Sequence, residues 1–403
     1  MPNRFTRSVE RAAKIAVLLA TGVLTTFSQF QVSGEASTSF VKSNDGISQY
    51  SFDDGRGTFG WRLDLFADDV LTDDIAFLNN FRMLQDEVPH IDLMAIRISD
   101  IAESGVSLQA GEIDVPFGNL SDDRFPMTNP FLGLPLLNED VTSLCASDYK
   151  IWTLNPEYQI VGDGVHLLDQ GLYDIGMKVY GDLGIIHYEV ALTNGMVSTT
   201  GTYSPGGLNS HHGIGKVVRL VVTPMTGVSV GASYANGPFM KDESETINDN
   251  EGTPDTSAFY GISPDHYLQN ILGADLRYSA GYFEFTGEAI HNTWEYLKGI
   301  NLSTFGYTAA AKYALTPRLS AALRVGGVSF TTIHNIRELT PTFRPVLYSG
   351  KWDHDATRIE GALAYKFTRG LIAKGGYIIN RTYGLPKDPV DNVLFIQTVL
   401  SFR

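Results

Sequence analysis

Cysteine is almost missing from this chain: Cys145 is the only one. A lone thiol closes no internal disulfide and excludes zinc sites built on paired cysteines. Long apolar runs are missing as well. Outside the N-terminus nothing approaches the roughly eighteen consecutive apolar residues of a membrane-spanning helix. Positive charge is in deficit, with 30 Lys and Arg against 45 Asp and Glu, a formal net charge of −15, which argues against a nucleic-acid partner. Catalytic signatures are absent too: there is no H-E-x-x-H and no G-x-x-x-x-G-K-[ST]. Gly227-Val228-Ser229-Val230-Gly231 has the letters of a nucleophile elbow but enters a strand rather than a strand-to-helix turn. His211-His212 has no third ligand at metal spacing, and the acidic stretch 236–269 reads as a solvated loop. The expectation is a protein that is no enzyme, with no cofactor and no metal.

What is present begins at the N-terminus. Arg4, Arg7, Arg11 and Lys14 precede an apolar stretch from Ile15 to Leu24, too short to span a bilayer as a helix. Gly34-Glu35-Ala36 supplies small residues for a signal peptidase. The expected division is a secretory signal peptide over 1–36 and one domain over 37–403, with a mature charge of about −17.

From near Asn44 the chain breaks into short segments in which apolar and polar residues alternate. Ile186, Tyr188, Val190 and Leu192 share one face of a strand, with His187, Glu189 and Ala191 on the other. Counting back from the C-terminus predicts strands at 393–402, 371–380, 356–367, 319–330, 303–315, 282–294, 270–278, 228–235, 216–224, 185–194, 173–180, 106–115, 90–99, 75–86, 58–68 and 46–53. Ile91 to Ile98 alternates poorly. Short turns such as Gly181–Gly184 and Thr316-Pro317-Arg318 alternate with long connections at 119–172, 195–215, 236–269, 295–302, 331–355 and 381–391. Together these predict an all-β fold: a transmembrane antiparallel β-barrel of about sixteen strands, with short periplasmic turns and long extracellular loops, in a Gram-negative outer membrane.

The apolar faces, such as Leu272, Ala274, Leu276 and Tyr278, would meet lipid, with Tyr234, Tyr278, Tyr313, Tyr365 and Phe402 near strand ends as aromatic girdles. The opposite faces carry Arg62, Asp64, Lys178, His187, Glu189, Arg219, Asp275, Arg277, Glu284, Glu288, Lys312, Arg324, Arg358, Glu360, Lys366 and Lys374. Charges facing lipid at the midplane cost about 2–4 kcal/mol each, so these are expected to line a wet lumen. A barrel of about sixteen strands leaves room for an aqueous path.

The connection 119–172 is the third outer loop and the longest. Pro126, Pro130, Pro135 and Pro156 stiffen it, and Phe131, Leu132, Leu134, Leu136 and Leu137 give it an apolar stretch that a solvated loop would not need. It is expected to fold into the pore as a constriction, carrying Asp122, Asp123, Arg124, Glu139, Asp140 and Asp148. Its net charge is −6, against nine Lys or Arg and six Asp or Glu on the wall. An acidic loop opposite a basic wall would set up a transverse field favouring polar solutes.

Gly111-Glu112-Ile113-Asp114-Val115-Pro116-Phe117-Gly118 resembles a strand-ending pattern of the phosphate-selective porin O and P family. The resemblance implies an outer-membrane porin for small anions or other polar solutes, commonly a homotrimer. Phosphate specificity does not follow, because the arginine and lysine ladders it needs cannot be matched here. The functional expectation is passive diffusion of small polar or ionic solutes through the barrel. Its partners would be outer-membrane lipid, lipopolysaccharide and the barrel-assembly machinery. Alternatives are a plugged transporter of hydrophobic compounds, for which only residues 37–45 are left as a plug, or a structural or adhesive barrel without an open pore.

Overall fold

A computed structural model describes residues 31–43, 57–85, 89–120, 123–144, 164–169, 172–198, 213–239, 267–296, 300–339, 345–384 and 390–403. In chain order the strands are β1 Gln31–Ser43, β2 Gly57–Val70, β3 Ile75–Leu84, β4 His90–Ile98, β5 Val106–Asp114, β6 Tyr173–Leu183, β7 Ile186–Thr193, β8 Gly215–Met225 and β9 Val228–Pro238. They continue as β10 Leu268–Ala280, β11 Phe283–Tyr296, β12 Ile300–Ala314, β13 Leu319–Phe330, β14 Thr332–Leu339, β15 Pro345–Lys351, β16 Ala356–Lys366, β17 Leu371–Thr382 and β18 Val390–Phe402. Sixteen of these close into one antiparallel barrel, while β14 and β15 pair only with each other. The expected all-β transmembrane barrel is therefore found.

Alternation builds it. On β10, Leu272, Leu276 and Tyr278 point outward and are exposed, whereas Ile271 and Asp275 are buried inside. Ile359, Leu363 and Tyr365 on β16 and Leu394, Ile396, Leu400 and Phe402 on β18 continue the exposed row. In water that belt would far exceed the few hundred Å² of apolar patch that a soluble protein tolerates; in lipid it is satisfied. No described helix is long and apolar enough to cross a membrane.

Three details differ from the sequence reading. The poor alternation near Ile91 comes from a register shift between β3 and β4 at Asn80/Phe81, where one inserted residue flips the facing of the residues beyond it. The connection 331–355 is not plain loop, since β14 and β15 form a hairpin there.

The first strand also differs. The expected strand at 46–53 lies outside the described residues, and the barrel closes instead through β1. Its residues run from Gly34↔Phe402 to Ser43↔Val393 against β18 and from Gln31↔Asp68 to Lys42↔Gly57 against β2. A cut near Ala36 would sever this strand and leave the start of both ladders unpaired. Protein purified from membranes is expected to begin at or before Gln31, as read by intact-mass spectrometry. An N-terminus at Ser37 would overturn this placement.

Candidate functional site

The connection after β5 runs inside the barrel. Two glycines of the 111–118 segment shape its entry. Gly111, at φ 129°, and Gly118, at φ 64°, adopt backbone that side chains avoid. A Cβ on Gly111 would strike the Met94 carbonyl, and one on Gly118 would strike the Glu288 carboxylate. Phe117 then lies on Gly273. Gly118 N–H donates to Ser233 Oγ at 3.2 Å, Asn119 N–H donates to Glu288 Oε2 at 3.3 Å, and Arg277 donates to Asn119 Oδ1 at 2.8 Å.

The loop next crosses to the far wall. Phe125 meets Phe66 edge-on at 5.1 Å, and Met127 N–H donates to Glu35 Oε2 at 3.2 Å. Lys374 then donates to three loop carbonyls: Pro126 at 2.8 Å, Asn129 at 2.7 Å and Phe131 at 3.2 Å. Arg324 donates to the Gly133 and Leu134 carbonyls at 2.8 and 2.9 Å, lies 4.3 Å over the Phe131 ring, and is forked onto Glu360. A single helical turn, α1 (Leu136–Glu139), comes after it. Leu136 and Leu137 fill the space left by Gly326 and Gly306, and Glu139 pairs with Arg358 and accepts from Leu134 N–H at 2.6 Å.

Leu137, Leu144, Leu167 and Leu168 of the loop form a buried apolar core inside the barrel with Ile290, Trp294, Phe330 and Trp352. Free space is left elsewhere. A cavity of about 670 Å³ on the long-loop side is lined by Ser39, Thr58, Arg62, Arg82, Arg124 and Gln397 among others. A second, of about 580 Å³, opens on the short-turn side among Thr286, Lys312, Pro317, Ser320, Ala364 and Lys366. Asp123 and Asn129 line both. Asn129 is committed to the loop's own turn through the Asp123 and Gly133 carbonyls and Phe131 N–H. Asp123, part exposed and 3.8 Å from Arg324, is thus the charge at the junction.

The charged wall does not face an open field. Arg62 forks onto Asp64 at 2.7 and 2.9 Å. Lys178 meets Asp114 at 2.9 Å and Glu189 at 3.2 Å. Arg219 binds Asp275 at 2.7 and 3.0 Å. Lys312 reaches Glu284 at 3.2 Å at the exposed end. Lys366 lines the second cavity. In the loop, Arg124 stacks on Tyr173 at 4.5 Å, and Asp122 and Asp148 lie outside the described residues. The arrangement therefore differs from an acidic loop facing a free basic wall. Charges enclosed with little water require partners, and here they are found on the same strand, on nearby strands or in the loop.

Several participants escape the sequence reading. Glu35 falls within the expected signal peptide, yet it holds the loop at Met127. Arg82 pairs with Asp92 at 3.2 Å across the register shift. Asp353, after the β14–β15 hairpin, takes Ser143 N–H at 2.6 Å and Ser143 Oγ at 2.9 Å, tying two outer loops together.

This tie titrates. Burial, then the like charge of Asp353, pushes the Asp140 carboxyl from the usual range up to about 7, against the pull of Arg358; burial raises Asp353 too. Between the ordinary carboxylate range and about 7 the packed loop holds a proton that a released loop would lose. Its packing is therefore most stable in acid and weakens as pH rises towards 7. Amides at 136–144 are expected to show stronger hydrogen-exchange protection at pH 5 than at pH 8, corrected for intrinsic rates, with the difference lost in Asp140→Asn. Equal protection in wild type and variant at both pH values would contradict this.

No family model matches the chain, and no curated protein matches it in sequence. Solved structures do match in shape. An anion-selective porin from Comamonas acidovorans has TM-score 0.58 at 10% identity, covering 93% of this chain and 99% of its own. The trimer form of OmpT, an outer membrane protein of Vibrio cholerae, has TM-score 0.54 at 10% identity with 93% and 99% coverage. Salmonella typhi OmpF, in complex with daunomycin, has TM-score 0.52 at 11% identity with 93% and 97% coverage. With the lipid-facing belt, these define the class: a bacterial outer-membrane β-barrel. Within that class the chain has the general porin fold; the finer likeness to the phosphate-selective porin O and P family rests on the 111–118 motif alone.

Proposed function

We propose that the chain is a porin that lets small polar or ionic solutes diffuse passively through the outer membrane. The observation that carries this is the pair of cavities on either side of the third loop, with the Asp123 carboxylate lining both. Small side chains (Ser39, Gly60, Ala310, Ala364) line the cavity walls, so solute size would be limited by the loop rather than by the barrel. The reading involves no reaction and no cofactor. A homotrimer, assembled with lipopolysaccharide-bearing lipid around it, is part of the proposal and is supported by the trimer form of OmpT. The mature charge stays strongly negative, and the wall pairs cancel locally, so discrimination would rest on the loop.

Refolded protein in a planar bilayer is expected to give stable unitary conductance steps, and liposomes carrying it to swell in small sugars. Folded barrel that does neither would overturn the proposal and favour a shut structural or adhesive barrel.

A further inference from the structure

The second cavity is chemically two-ended. Its roof is formed by the third loop, where Met127, Pro130 and Phe131 lie beside Asp123, Thr128 and Asn129, and its nearer wall includes Ala310, Ala364 and Ile372. Its open end, among the short turns, carries Lys312, Arg318 and Lys366. Lys312 is engaged by Glu284. Arg318 and Lys366 are held side by side, with Lys366 N–H donating to the Arg318 carbonyl at 2.8 Å. Among the described residues neither side chain has an ion-pair partner. Lys374 also borders the cavity, but its ammonium is taken up by three carbonyls.

We propose that this cavity is a binding site for amphipathic monoanions: an apolar body of about one aromatic ring, carrying a carboxylate or sulfonate. The apolar body would lie under Met127 and Pro130 against the alanine wall, where it leaves water. The anionic group would stay at the mouth, bridging Arg318 and Lys366, where both charges remain partly hydrated and the desolvation cost of a buried ion is avoided. A volume of about 580 Å³ suits a small organic solute. A small hydrophilic anion would gain only the cations, and a neutral aromatic only the apolar roof, so each should bind more weakly. Because the cations sit at the short-turn mouth, the site is reached from the periplasmic side without crossing the loop. The inference deepens the porin reading and rests on it for the meaning of the site, but its test does not depend on conductance.

The test is ¹⁹F NMR line broadening of 4-fluorobenzoate by the refolded barrel in detergent, with fluoroacetate and 4-fluorobenzamide as controls. Broadening is expected for 4-fluorobenzoate, at least fivefold more than for either control per unit concentration. Arg318→Gln with Lys366→Gln should reduce it at least fivefold, and Ala364→Leu should do the same by filling the cavity. If Ala364→Leu does not fold, Ser320→Leu, at the register partner of Ala364 on the adjacent strand, makes the same test. Equal broadening by the neutral amide or by fluoroacetate, or indifference to both variants, would overturn the proposal. Planar-bilayer recordings on the same samples separate the two readings. Conductance without selective broadening leaves the porin standing and removes this site, whereas selective broadening without conductance does the reverse.

Discussion

Lys374→Met is expected to enlarge the conductance and to make the open-channel current noisy. Among the described residues, Lys374 is the wall cation whose three hydrogen bonds all go to carbonyls of the segment Pro126–Phe131. Methionine keeps most of the stem's volume but donates nothing. Each carbonyl left enclosed without a donor costs about 1–3 kcal/mol, so the segment loses several kcal/mol of attachment. Glu35 then remains as a neighbouring grip through Met127 N–H, and Arg324 holds the next stretch at Gly133 and Leu134. The result expected is partial release of the turn at 126–131, which includes Asn129, rather than unfolding of the barrel. Lys312→Met is the contrast: its pair with Glu284 is largely exposed, and such pairs contribute under about 1 kcal/mol. Single-channel recording of both variants checks this. A Lys374→Met channel indistinguishable from wild type would show that the loop does not depend on that ammonium.

The same residues show what could be read from the chain and what could not. Lys374, Arg324 and Arg358 were legible as inward-facing, because period two fixes facing on a strand once one face must meet lipid. Their partners were not legible. Arg219 and Asp275 lie on β8 and β10, with β9 between them, and a sequence does not state the register that brings such residues together. The loop carbonyls under Lys374 belong to every residue type alike, so no composition marks them. β1 escapes the sequence for another reason: Ser33, Glu35, Ser37, Ser39, Val41 and Ser43 face in, while Val32, Gly34, Ala36, Thr38, Phe40 and Lys42 alternate with them. Of the outward row only Val32 and Phe40 are large and apolar, so the alternation is weak. Only the ladder with β18 identifies it. The apolar run from Phe131 to Leu137 did mark the loop as one that packs, and Leu136 and Leu137 are buried.

Asp123→Asn is expected to shift the reversal potential in a salt gradient towards anions, with a several-fold change in the cation-to-anion permeability ratio. Asp123 lines both cavities. Arg324, 3.8 Å away, is also held by Glu360, so the formal charges of these three groups sum to −1. A unit charge about 4 Å from a passing ion in a water-like medium is worth about 1 kcal/mol, which is about fivefold in local ion occupancy. Removing Asp123 leaves Arg324 and Glu360 as a neutral pair. The wall pairs should behave differently. Arg219→Gln alone strands the Asp275 carboxylate in a buried place and is expected to destabilise the barrel, since breaking such a pair costs about 3–5 kcal/mol. Arg219→Gln with Asp275→Asn removes both charges and should leave the reversal potential where it was, because opposite charges 2.7 Å apart cancel over the distance to the path. These two channels together place the selectivity either in the loop or in the wall. A double variant that moves the potential as far as Asp123→Asn, or an Asp123→Asn channel that does not move it, would return selectivity to the basic wall.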